Sequence, residues 1–415
     1  MRNRTLAVLL LLAAAACRTA APPAATTMTA PVPVEAMRAL AAREDVARAF
    51  AAIDRDRETI IAQWRTLTEM PAPSGHEAQR AAYVEEQLRQ YGLTDIHRDE
   101  VGNVMGTRKG TGGGKRVVLD AHLDTVFAME TNVTTRLENG KLYAPGVGDD
   151  TRNVIGLLAI IRALNAANVQ TRGDLLFLFT VEEETSFRGV DHFLSQHKSE
   201  IDRYVAFDGG FTGFTYGGTG IYWHRYHIIG PGGHTKSDRV PTSAALPVAR
   251  AIERIYGMHI PAESWMNIGM LGGADVFNAK AADAWFSVDL RSTVGEQLHA
   301  LDAEIQRIVN EEAQRAGMTM KRDVVSIEEV ASLPGHRNSE TVRTTEAVFR
   351  AFDFDPAITN TASNHSSAAL RAGIPAVGMG MGPCEGSHSA SENCEIEPLF
   401  TGIKRSIVLA LALSE

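Results

Sequence analysis

The sequence predicts an α/β fold: a doubly wound, mostly parallel sheet with a metal site at its strand ends, plus an inserted α+β domain. Three observations lead there. Short apolar runs at Val117-Val118-Leu119, Leu175-Leu176-Phe177-Leu178-Phe179 and Tyr204-Val205-Ala206-Phe207 read as buried parallel strands. Amphipathic or apolar helical stretches alternate with them. After Gly217-Gly218-Thr219-Gly220 the pattern changes to a self-contained set of longer strands and helices, and the first pattern resumes near residue 329.

In chain order, a helical lead-in covers about Glu35 to Thr68, and Ser74-Gly75-His76-Glu77 reads as a capping box opening a helix that Gly92 closes. Strands follow near Ile96–Glu100, Asn103–Thr107 and Arg116–Ala121, the last two separated by the glycine-rich turn Gly110 to Gly114. An apolar helix runs over about Asn153–Asn165, then strand, helix and strand lead to Asp208. The inserted segment reads as a strand from Ile221, a helix over Ser243–Tyr256, strands Trp265–Leu271 and Ala284–Arg291, a helix over Glu296–Ala316 and a strand at Lys321–Ile327. A helix at Glu340–Phe352, the strand Ala376–Met379 and a terminal helix at Glu397–Leu413 complete the chain. The resulting division is 1–17 signal peptide, 18–37 flexible linker, 38–216 and 329–415 catalytic domain, and 217–328 inserted domain.

Five acid- or histidine-bearing segments stand out: Ala121-His122-Leu123-Asp124, Gly148-Asp149-Asp150, Glu182-Glu183-Glu184, Phe207-Asp208 and Ser387-His388. Most follow an apolar strand, and ligands at the carboxyl ends of adjacent strands converge on one crevice. Neutral imidazoles and carboxylates are zinc ligands, and a hydrolytic pair of ions about 3.5–4 Å apart needs a bridging carboxylate. Each segment alone has an ordinary reading: a histidine satisfied in a turn, an acidic helix N-cap, a solvated charge run. Their combination favours two metal ions.

The chain has 415 residues, 44% hydrophobic and 22% charged, with a formal net charge of -9. That composition is globular and long enough for two domains. It also excludes nucleic acid as a partner, which requires a basic surface to displace counterions. Met1-Arg2-Asn3-Arg4 followed by apolar Leu6 to Ala16 has the form of a secretory signal, too short to span a bilayer. Cys17 after Ala14-Ala15-Ala16 resembles a bacterial lipobox, which implies export to the periplasm and a membrane tether through lipidated Cys17, with ordinary signal cleavage nearby as the alternative. The remaining cysteines, Cys384 and Cys394, flank His388 and are read either as a disulfide or as two buried thiols.

The order H-x-D, G-x-G-D-D, E-E, D-G and H-x-x-x-E, with Gly-His-Thr and Asp-Leu-Arg in the inserted segment, resembles the co-catalytic zinc exopeptidase family that includes peptidase T, glutamate carboxypeptidase, aminoacylase and succinyl-diaminopimelate desuccinylase. The resemblance covers nearly all of the chain from Glu69 on. It implies two Zn2+ ions, with Co2+ or Mn2+ as substitutes: His122, Asp149 and Asp208 on one, and Asp149, Glu184 and His388 on the other. By the same match Asp124 orients the His122 ring, the Asp149–Asp150 peptide is cis, and Glu183 is the general base that takes a proton from the activated water and returns it to the leaving amine. The inserted domain becomes a lid and dimerisation domain. Its His234 matches a histidine that reaches the neighbouring subunit's site in a homodimer, and Asn278 and Arg291 match substrate-binding positions, Arg291 suiting a carboxylate. Alone, Arg291 reads as a surface residue at a strand end.

One segment departs from the family. Where the peptidase T-like branch reads S-T-D-A-N, this chain has Ser363-Asn364-His365-Ser366-Ser367, so recognition of the substrate terminus is in doubt and His365 reads equally as a substrate contact or a helix N-terminal residue. The function implied is a secreted dizinc exopeptidase acting on short peptides. The alternatives are an N-acyl amino acid deacylase using the same metal chemistry and, remotely, a non-catalytic peptide-binding lipoprotein.

Overall fold

The computed structural model describes residues 32–237, 239 and 242–415. The signal segment and Cys17 lie outside the described residues, as does the linker through residue 31. The linker ends earlier than residue 37, because helix Val34–Ala41 already begins within it; Met37 is buried and Leu40 packs on the main core. The lead-in is three helices, Val34–Ala41, Glu44–Arg55 and Arg57–Thr68.

An eight-stranded sheet organises the larger part of the chain. Its centre is parallel: Leu175–Thr180, Val117–His122, Arg203–Ala206 and Ala376–Gly378 lie side by side in that order. Val104–Arg108 and Thr94–Arg98 extend one edge in antiparallel fashion, and Gly213–Thr215 and Ala357–Thr359 form the other. Every residue of Val117–His122 and Leu175–Thr180 is buried, because helices cover both faces. Strand alternation divides the side chains between two cores. Val117, Leu119, Phe177 and Phe179 pack with helices Arg152–Ala166 and Ile396–Leu413, while Val118, Leu176 and Leu178 pack with Arg188–His197 and His365–Arg371.

Residues between Gly220 and Glu328 form a separate antiparallel sheet, ordered Ser264–Asn267, Asp283–Ser292, Gly220–Ile229, Thr319–Glu328, with Leu271–Gly272 also paired to Asp283–Ser292. Helices Ala245–Tyr256 and Gly295–Arg315 cover one face around Tyr226, Phe286, Leu290, Ile305 and Val309. The other face exposes Trp223, Trp265 and Val325. The run Trp265–Leu271, read from sequence as one strand, is broken: Gly269 sits in the gap, and pairing resumes only at Leu271.

The capping box is not formed. Helix Ala78–Gln90 has Glu77 as its N-cap without a side-chain cap, and Ser74 Oγ instead donates to Asp124 Oδ2 at 2.6 Å. Glu77 Oε1 accepts from the backbone of Gly75 at 2.8 Å and Glu182 at 3.0 Å. The segment is thus drawn toward the loops at the sheet's carboxyl edge. Among the described residues, no helix is long and apolar enough to cross a membrane.

Candidate metal centre

The parallel strands bring the acid- and histidine-bearing segments to one edge. His122 ends its strand, Glu183 and Glu184 follow Thr180, and Asp208 follows Arg203–Ala206 by two residues. Asp149 lies in the turn Val147–Thr151 before helix Arg152–Ala166, where the Asp149–Asp150 peptide is cis, the geometry expected from sequence. His388 is on the tip between the short strands Cys384–Glu385 and Asn393–Glu395.

Each Asp149 oxygen faces a different imidazole: Oδ1 is 2.9 Å from His122 Nε2 and Oδ2 is 3.2 Å from His388 Nε2. His388 Nε2 is also 3.1 Å from Glu184 Oε2. Ligand-type atoms of His122, Asp149 and Glu184 lie within 4.8 Å of one another, as do those of His122, Glu183 and Asp208. His122 is common to both groupings, and Asp149 and Asp208 line one pocket together.

A ring of acceptors fixes these groups. Asp124 Oδ1 lies 3.2 Å from His122 Nδ1, and its two oxygens accept the backbone N–H groups of Glu183 and Glu184, each at 3.0 Å. The N–H of His122 donates to Asp150 Oδ2 at 3.0 Å. Glu392 accepts from Gly146 at 2.7 Å and from Gly148 and Asp149 at 2.8 Å. Sequence reading named Asp150 and Ser74 only within the Gly-Asp-Asp and capping-box motifs and Glu392 only by its four-residue spacing from His388, and it missed the anchoring part that each plays here. Buried arginines pin the surrounding loops: Arg80 donates to Leu123 O at 2.8 Å, and Arg152 to Gly382 O and Gly209 O at 2.7 Å each.

The electrostatics are those of crowded, dehydrated acids. Burial pushes Glu183 well above the ordinary carboxyl range, with Asp208, Glu184 and Asp149 adding to it. Burial, reinforced by Asp149, raises Glu184 to about 7 and Asp208 to about 6. Burial opposes charge on His122, yet Asp150, Asp124 and Asp149 outweigh it and raise the imidazole well above its usual value. The hydrogen bond that His388 donates to Asp149 leads the causes that bring its imidazole to about 9. Among the described residues none of Asp149, Glu183, Glu184 or Asp208 is paired with a lysine or arginine. Imidazoles and carboxylates that no lysine or arginine neutralises, gathered at one point, form a donor set that fits two divalent ions.

A cavity of about 810 Å³ opens beside Glu183 and Glu184, walled by Phe187, Trp223, Arg291 and Arg371. Arg291 therefore faces the same space as Glu183, and its Nε is held at 3.0 Å by Asp289 Oδ1. His234 and Asn278 do not line this cavity. His234 lies on the strand Gly233–His234 and Asn278 in the turn just before its partner Ala279–Lys280; both residues are exposed, with Asn278 Nδ2 3.4 Å from His234 Nε2. His365 is buried at the first turn of helix His365–Arg371, its Nδ1 2.8 Å from Asp120 Oδ2 and its ring edge-on to Phe187 at 5.2 Å. It sits behind Phe187 rather than on the cavity wall. Cys384 and Cys394 are joined in a disulfide.

A parallel sheet with imidazoles and carboxylates gathered at its carboxyl edge, beside an open cleft, defines a metal-dependent hydrolase. Residues 118–411 match the model of peptidase family M20/M25/M40, and the chain belongs to that family. It is 25% identical over 277 residues to carboxypeptidase G2 from Pseudomonas sp. (strain RS-16), covering 63% of this chain and 66% of that one. It is 29% identical over 149 residues to a succinyl-diaminopimelate desuccinylase from Corynebacterium glutamicum, covering 35% and 40% respectively. These alignments span just under two thirds of the first relative's length and less than half of the second's. Among solved structures, aminopeptidase PepT from Bacillus cereus superposes with a TM-score of 0.77 at 18% identity, over 86% of this chain and 99% of that one. A dinuclear metal-binding family M20 peptidase from Bacillus subtilis gives 0.67 at 14% identity, over 87% and 99%.

Proposed function

We propose that this chain is a dizinc exopeptidase that hydrolyses short peptides. One observation carries the reading: Asp149 sits between two imidazoles, and Glu183 lies beside them on the wall of a cleft large enough for a short peptide. His122, Asp149 and Asp208 would hold one ion and Asp149, Glu184 and His388 the other. When bound, two such ions would polarise the substrate carbonyl and bring the pKa of water down to about 7.

The chain's own groups do the rest. Glu183, buried but open to the cavity, takes a proton on its carboxylate and returns it to the departing nitrogen. Asp124 fixes the His122 ring through Nδ1 and the Glu183 backbone through its N–H. Arg291 offers a guanidinium to a substrate carboxylate across the cleft. His234, with Asn278 beside it, acts on the neighbouring subunit's site in a homodimer. The N-terminal segment directs the chain to the periplasm, with Cys17 as a lipid anchor; the intact mass of membrane-extracted protein tests this, since a chain without a diacylglyceryl Cys17 would rule the anchor out.

A second reading, hydrolysis of N-acyl amino acids, draws support from the match to the desuccinylase. Mass spectrometry of mixed di- and tripeptides and N-acyl amino acids, incubated with zinc-loaded protein, separates the two. Loss of peptides, with the released residue marking the end attacked, supports the exopeptidase; loss of acyl amino acids from an intact peptide pool supports the deacylase.

A further inference from the structure

We infer that the Cys384–Cys394 disulfide positions His388 as a ligand, so that the chain holds its second metal ion tightly only when these two cysteines are oxidised. The inference rests on the reading that Asp149, Glu184 and His388 hold one ion.

Cys384 and Cys394 face each other in register across a two-stranded hairpin, and the bond between them closes the loop that carries both His388 and Glu392. None of residues 386–391 is buried, and apart from the contacts of His388 with Asp149 and Glu184 their hydrogen bonds are short-range, such as Ser389 Oγ to Gly386 O at 2.6 Å and Glu392 N to Ser389 O at 3.2 Å. Beyond the disulfide, the loop is tied down at its base by Glu392, which accepts from Gly146, Gly148 and Asp149. His388 has φ of 65°, a left-handed conformation that side chains with a β-carbon disfavour. An open loop would therefore relax away from the geometry that brings its Nε2 to Asp149 and Glu184.

The same bond touches the other half of the site. A β-carbon placed on Gly148 would lie 2.8 Å from both sulfur atoms, so the disulfide rests against the backbone immediately before Asp149. One covalent link thus braces the turn that presents Asp149 and the loop that presents His388. Reduction breaks the S–S bond, adds two electrons and two protons, and leaves two thiols that must separate, with the Gly148 backbone filling the space on one side. His122 and Asp208 come from the strand edge, outside this loop, so the first ion's site depends on the bond only through the shared Asp149. Re-forming the bond returns two electrons and two protons to an external disulfide, which becomes two thiols.

The test is Zn2+ titration of the metal-free full chain, by calorimetry and chelator competition, in three forms: oxidised, reduced with the reductant removed under argon, and Cys384→Ser/Cys394→Ser. The oxidised form should bind two ions. The other two should bind the second about 10–100-fold more weakly, with a smaller loss at the first, which shares only Asp149 with it, and reoxidation of the natural chain should restore both. Equal second-site affinity in all three forms overturns the inference, and so does a parallel loss of both ions, which would mark general destabilisation. His388→Ala in the oxidised chain separates the two levels: if it still binds both ions tightly, the ligand assignment itself is wrong.

Discussion

Asp124 holds Glu183 by its backbone: the Asp124 Oδ1 that faces the His122 ring at 3.2 Å also accepts the Glu183 N–H at 3.0 Å. One carboxylate therefore sets the orientation of a ligand and the position of the base. In Asp124→Asn an amide N–H would confront these donors. Metal affinity should fall about 10–100-fold, and stability by about 1–3 kcal/mol from the unmatched buried donors. Chelator competition and calorimetric unfolding check both; unchanged values would mean that Asp124 orients nothing.

Glu183→Gln keeps the shape of the side chain but removes its capacity to carry a proton. The variant should retain two ions per chain while kcat drops at least about a hundredfold, on the order of 3 kcal/mol. Metal analysis together with initial rates on a dipeptide decides this, and near-normal turnover would refute the assignment.

Metal loading should release protons. The Asp149 hydrogen bond raises His388 to about 9, and burial raises Glu184 to about 7 and Asp208 to about 6, so the metal-free site at pH 7 holds protons where an ion must bind. Each must leave on binding, so affinity should weaken progressively as pH falls from about 9 to about 6. Calorimetry in two buffers of different ionisation enthalpy counts the protons, and a pH-independent affinity would contradict the site.

Replacing Arg291 with alanine removes the guanidinium from the cleft shared with Glu183. For substrates with a free carboxylate KM should rise at least about tenfold with kcat little changed, as expected for lost uniform binding. Amidated peptides should be unaffected, and an equal effect on both would assign Arg291 a structural part only.

If His234 serves the opposite subunit, two dead variants should rescue each other. Mixing Glu183→Gln with His234→Ala and allowing exchange should yield mixed dimers with one intact site each, about a quarter of full activity at equal mixing. Activity no greater than the sum of the parents, or an active monomer on size-exclusion chromatography, would break the model.

What was legible in the sequence was what packing dictates. Val117–Leu119 and Leu175–Phe179 are buried on both faces, so their apolar runs are continuous and strand assignment was direct. His122, Asp149, Glu183, Glu184, Asp208 and His388, singled out at those strand ends and turns, lie together at one edge of the sheet. Local patterns failed where long-range contacts outcompeted them. Ser74 and Glu77 spell a capping box, yet the Ser74 hydroxyl goes to Asp124, 50 residues away, and the Glu77 carboxylate accepts from Glu182, 105 residues away. The small sheet joining Arg136–Glu138, Lys141–Tyr143, Asn393–Glu395 and Cys384–Glu385 has strands of two or three residues, too short for any periodicity. His365 was undecided because its partner, Asp120, is distant in sequence and on another element.

The strand order has a consequence for how the chain is made. Ala376–Gly378 lies between Arg203–Ala206 and Gly213–Thr215, strands synthesised more than 150 residues before it. A chain growing from the ribosome must leave a gap in its main sheet while the whole segment Gly220–Glu328 emerges and folds on its own core. During that interval two strand edges stay open, a state prone to wrong pairing and slow to resolve. His388 arrives ten residues after the gap is filled, so the metal centre is among the last parts of the molecule to exist.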